Sequence, residues 1–91
     1  MTPLVLSGYT ATNALGRGNA AVHAALAGAR SGLAPCTFEN VKLETHVGEV
    51  AGVDDQPVIE RLAEFECRNN RLAQLALEQD GFTEIVAAAR E

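Results

Sequence analysis

An α/β fold, with elements in the order β-α-β-α, is predicted by three observations. Leu4-Val5-Leu6 is an unbroken apolar run closed by Ser7-Gly8. An alanine-rich helical segment follows Asn19. A second stretch with β-branched residues, Val47 to Val53, precedes helical periodicity that continues to the end. Strands and helices in alternation are the beginning of a layered α/β architecture.

Each element has its own warrant. Leu4-Val5-Leu6 lacks polar alternation, so it reads as a strand covered on both faces. From Tyr9 to Gly18 the residues are small and polar, with Asn13, Gly16 and Gly18 as turn formers. Asn19 is the expected N-cap of a helix reaching about Arg30, with Val22, Leu26 and Ala29 on its apolar face and Gly32 as its stop. Residues 33–45, interrupted by Pro35, read as irregular. Val47 to Val53 holds two glycines, which predicts a short, weak strand. Pro57 suits the first turn of a helix, after Asp55 or Gln56, with Ile59, Leu62 and Ala63 on its face. Glu66 to Asn70 is either a break or a polar stretch within a longer helix. Leu72, Leu75 and Ala76 resume the period, and Gly81 is expected to end it. Thr83 is placed to cap a last helix carrying Ile85, Val86 and Ala89.

That last helix runs to Ala89-Arg90-Glu91 with no glycine and no cap. One doubly buried strand cannot form a sheet alone, because its backbone groups stay unpaired. Residues 1–91 are therefore read as the N-terminal part of a domain truncated after Glu91, with the rest of the sheet expected beyond it.

Composition narrows the function. Hydrophobic residues make up 47% of the 91 residues, too many for a disordered tail. The net charge of −5 repels phosphate backbones, so no nucleic-acid partner is expected. Cys36 and Cys67 form no C-x-x-C, and two thiols do not make a disulfide framework. The N-terminus has no basic region and no long apolar run, and no stretch approaches the roughly 18 residues of a membrane span. A cytoplasmic protein is expected, with no membrane partner.

The candidate chemistry is thin. Gly16-Arg17-Gly18-Asn19-Ala20-Ala21 matches G-x-G-x-x-A at a helix start. However, seven residues, Tyr9 to Leu15, separate it from the strand end at Gly8, where a dinucleotide fingerprint would begin. A plain loop-to-helix turn is the favoured reading. Cys36, Cys67, His23 and His46 lie ten or more residues apart, unlike paired zinc ligands. Cys67, beside Arg68 and a helix start, is a faint nucleophile candidate against a structural thiol. Ser7-Gly8, Thr10, Thr12 and Asn13 form a polar loop after the first strand, where α/β sheets tend to bind ligands, but a capped connecting loop is the favoured reading. Asp54, Asp55, Glu64, Glu66 and Glu78 read as solvated. No catalytic, cofactor-binding or metal-binding residue is assigned.

The order of these features nevertheless resembles the N-terminus of β-ketoacyl-[acyl-carrier-protein] synthases. The resemblance rests on Leu4-Val5-Leu6-Ser7-Gly8-Tyr9, then Asn13-Ala14-Leu15-Gly16, then a helix closing with Ala27-Gly28-Ala29-Arg30-Ser31-Gly32-Leu33. The Phe38 region, Val47-Gly48-Glu49-Val50 and Cys67-Arg68-Asn69-Asn70-Arg71-Leu72-Ala73 follow at similar places, so the likeness spans essentially the whole chain. Ser7 replaces a common Thr, and Tyr9-Thr10 stands where Gly is frequent, which suggests a divergent subgroup. The resemblance implies a thiolase-like, layered α-β-α-β-α fold. It also implies a homodimer or heterodimer, acyl carrier protein as partner, and decarboxylative Claisen condensation in fatty-acid, polyketide or aryl-polyene synthesis. No cofactor is implied. The family's cysteine and histidines lie in later motifs, and none of Cys36, Cys67, His23 and His46 matches them. The 91 residues alone are thus expected to be inactive.

Overall fold

The computed structural model describes residues 2–38 and 42–91. Within them the chain is a mixture of short strands and short helices. Strands β1 (Thr12–Asn13) and β2 (Gly16–Arg17) form an antiparallel pair, and helix α1 (Asn19–Ala27) follows. Strands β3 (Leu33–Pro35) and β4 (His46–Gly48) form a second antiparallel pair. Two 3-10 segments, Val53–Asp55 and Glu60–Phe65, lead into α2 (Arg68–Leu77) and α3 (Phe82–Ala89).

Local chemistry explains the first hairpin. Ala14 and Leu15 make its two-residue turn, and the Leu15 amide donates to Asn13 Oδ1 at 2.9 Å, an Asx turn. Ala14 then sits on the second sheet. A Cβ at Gly32 would lie 2.6 Å from the Ala14 carbonyl carbon, and one at Gly48 3.0 Å from its Cβ. These glycines are where one backbone approaches another, which accounts for their presence in and beside weak strands.

Helix α1 ends earlier than its periodicity predicts. The Ala29 amide donates to Leu26 O, and the Arg30 amide to Ala25 O. This is a Schellman closure, with Ala29 at φ 52° in the left-handed position that glycine usually fills. Gly32 is therefore not the stop. Similarly, Gly18 rather than Asn19 is the N-cap, and Asn19 is the first helical residue.

Several sequence expectations are corrected here. Leu4-Val5-Leu6 forms no strand: the strand pairs among the described residues are β1–β2 and β3–β4, and it joins neither. Residues 33–35 are not irregular but pair with residues 46–48, and Pro35 is tolerated in a sheet of two edge strands. The strand sought at Val47 to Val53 is His46–Gly48. Pro57 opens no helix; Leu62 and Ala63 fall on the Glu60–Phe65 3-10 segment, which is kinked at Leu62, and Ile59 is its N-cap. The break falls at Glu66-Cys67. Gly81 does not end α2, which stops at Leu77 with Glu78 as its C-cap; at φ 64° Gly81 is the N-cap of α3, and Thr83 lies inside that helix.

The core is small. Ala25, Val53, Val58 and Leu75 are its buried hydrophobic residues. Gly52, at φ 88°, brings the backbone beside Leu75 and the Arg17 guanidinium. By contrast Leu4, Val5 and Leu6 are 95%, 88% and 79% exposed, and Leu26, on the expected inner face of α1, is also exposed. The radius of gyration is 16.2 Å, against about 12 Å for a compact domain of this length. The accessible surface is 7370 Å², roughly 2,300 Å² above the area of about 5,100 Å² for a folded monomer of this mass. Exposed large hydrophobic residues, among them Leu33, Leu43 and Phe65, contribute to that excess.

Candidate functional site

The G-x-G-x-x-A turn is the natural place to look for an anion site, because a helix N-terminus presents free amides. Here that position is filled from within. The Asn19 amide donates to Asp80 Oδ2 at 2.9 Å, and the Thr10 hydroxyl donates to the same oxygen at 2.8 Å. The Gly18 amide is used by Ala11 O and Thr12 Oγ1. A carboxylate at the helix start repels a second anion, so the turn presents no pyrophosphate cradle. Gly16 faces Ala21, where a Cβ would meet the Ala21 methyl at 2.6 Å. The glycine thus serves hairpin-to-helix packing.

The polar loop after Gly8 is turned to the same structural use. Thr10 reaches Asp80, Thr12 caps the Gly18 amide, and Asn13 closes the hairpin turn. The Asn19 side chain donates to Tyr9 O at 3.0 Å.

The thiols and imidazoles do not converge. Among the described residues no group of three His, Cys, Asp or Glu side chains could hold a metal ion. The β3–β4 pairing does bring Cys36 and His46 to one shallow hollow of about 340 Å³, also lined by Thr45 and Leu43. Their separation of ten residues in sequence hides this proximity. His23 is exposed on α1, and Cys67 is exposed at the N-cap of α2. The cations near Cys67 are committed elsewhere. Arg68 pairs with Asp54 at 2.6 Å, and Arg71 pairs with Glu66 while donating to the Val53 and Asp54 carbonyls. Of the two features that favour a thiolate, Cys67 has the helix start, while the arginines beside it are ion-paired.

Glu66 is exposed, as expected, and its carboxylate pairs with Arg71 and accepts from the Val58 amide. The Arg71 hydrogen bond holds its carboxyl below the ordinary range, against a desolvation effect that raises it, with a further lowering from the Val58 amide. Arg71 is raised by the same hydrogen bond. A depressed carboxyl stabilises the fold above its unfolded value of about 4.3, and the contribution is lost as pH falls through the lower folded value. Glu66→Gln is expected to make the acid limb of a stability-against-pH profile shallower while leaving its alkaline limb unchanged, as read by urea denaturation across pH.

An apolar groove of about 480 Å³ lies between the Glu60–Phe65 segment and α2. Val58, Ile59, Leu62, Phe65 and Leu77 line it. Its walls are fixed by amide side chains: Gln74 accepts from the Ile59 amide and donates to Pro57 O, and Asn70 donates to Phe65 O. Glu78 and Thr83 also line the groove.

No helix among the described residues is long and apolar enough to cross a membrane. Comparison of the chain with family models, with curated proteins and with solved structures finds no match.

Proposed function

We propose that the chain is the N-terminal segment of a β-ketoacyl-[acyl-carrier-protein] synthase, a cytoplasmic condensing enzyme of thiolase-like layered fold. The observation that carries the reading is Leu4-Val5-Leu6: three successive apolar residues, almost wholly exposed, with no partner strand among the described residues. Side chains pointing to both faces of such a strand require cover on both faces. The residue order from Leu4 to Gly16 and from Ala27 to Leu33 adds the family likeness.

In this reading the segment supplies scaffold: the first strand, α1 and part of one half of the fold. Chemistry belongs to the remainder of the polypeptide. There a cysteine thiolate takes the acyl group as a thioester. Loss of CO2 from malonyl thioester then yields an enolate that attacks the acyl carbonyl and expels the thiolate. Hydrogen-bond donors aimed at the developing oxyanion lower that barrier. Acyl carrier protein delivers both thioesters, and the enzyme works as a dimer.

The test is direct. The purified 91-residue chain is expected to give no ketoacyl product from acyl- and malonyl-acyl carrier protein, while the full native polypeptide forms it. Product from the 91 residues alone, or none from the full polypeptide, would contradict the proposal. The uncovered apolar surface favours one second reading, a non-catalytic chain whose sheet is completed by a separate partner protein. The two differ in whether the covering layers are covalently attached.

A further inference from the structure

Helix α1 lacks the means to hold its own N-terminus. Its N-cap is Gly18, its first turn holds no acidic residue and its last turn no basic one. Nine residues are also fewer than the ~12–15 that an isolated helix needs to be stable in water. The negative charge that the helix start favours comes from Asp80, 61 residues away, whose Oδ2 accepts from the Asn19 amide.

That oxygen also accepts from Thr10, which leads into the hairpin. Among the described residues, every side-chain hydrogen bond joining residues 2–48 to residues 49–91 ends on Asp80. Asp80 occupies the turn between α2 and α3 at φ 59°, a left-handed conformation that aspartate tolerates better than most residues. A strained turn residue carries the polar link between the two parts of the chain.

We propose that Asp80 is a conformational latch that makes the order of α1 conditional on docking of the α2–α3 turn. When the turn is docked, the carboxylate caps α1 and holds Thr10. When it lifts, α1 loses its only N-terminal charge and the hairpin loses its tie, while α2 keeps its own contacts with the Val53–Asp55 segment. The latch stands on this geometry alone and does not depend on which enzyme the segment belongs to.

Amide hydrogen exchange on the 91-residue chain tests it. Asp80→Gly accepts the positive φ but removes the carboxylate. It is expected to lower protection of the Val22 to Ala27 amides about tenfold, the loss typical of a removed cap, with Leu72 to Leu77 unchanged. Asp80→Asn should fall between. Adding Ala20→Glu, at an exposed first-turn position, should restore α1 protection in the Asp80→Gly background by supplying the charge locally. Equal loss in α1 and α2, no loss in α1, or no rescue by Ala20→Glu would overturn the latch. So would an unsubstituted chain whose α1 amides are unprotected.

Discussion

Val5→Lys is expected to leave the stability of the 91-residue chain within about 0.5 kcal/mol of the parent, and to cost the full native polypeptide at least about 3 kcal/mol. The asymmetry follows from exposure. Val5 is 88% exposed among the described residues and touches no core, so a lysine there meets water. If other strands and helices cover it, the same lysine places an ammonium inside a sheet with no partner. Urea denaturation of both polypeptides measures the difference. Equal tolerance in the two would mean that Leu4-Val5-Leu6 is not a buried strand anywhere, and the layered fold would lose its main support.

Leu75→Ala is expected to cost about 2–5 kcal/mol, the largest single effect within the 91 residues. Leu75 is 1% exposed, and Ala25, Val53 and Val58 are the other buried hydrophobic residues among those described. Natural domains hold only roughly 0.05–0.15 kcal/mol per residue, and a chain with this much open surface sits at the low end. The variant should therefore lose its cooperative thermal transition. Leu77→Ala, at a half-exposed groove position two residues on, is expected to cost under about 1 kcal/mol. Circular dichroism melts of the two variants check both values. Similar losses would indicate that the core is not centred on Leu75.

The helices were largely legible because their signals are local. The apolar period around Leu72, Leu75 and Ala76 marks α2, and the polar stretch at Glu66 to Asn70 marks its start to within two residues. The strand pairs were not legible. β3 and β4 join residues more than ten apart, across a stretch whose residues 39–41 lie outside the described ones, and Pro35 argues against a strand on local grounds alone. Leu4-Val5-Leu6 shows the complementary failure: the sequence has a strand's composition, but a strand exists only with a partner.

The candidate site divides the same way. The mismatch of Gly16 to Ala21 with a nucleotide fingerprint was visible from its spacing. What fills the turn was not, since nothing in sequence links Asp80 to Asn19 across 61 residues. The one available hint was Asp80-Gly81, a dipeptide suited to left-handed turns, with a carboxylate to offer. Glu66 hid its role for another reason. Its partner Arg71 is five residues on, across the Cys67 break, where no helical spacing rule applies.

The exposed Leu4-Val5-Leu6 run is proposed to be covered by more of the same polypeptide. The intact mass of the natively expressed protein, captured by an antibody against residues 10–20, tests it most directly. A polypeptide of several hundred residues that forms ketoacyl product is the predicted result. A native species of 9.6 kDa would contradict it and leave a chain completed by a separate partner.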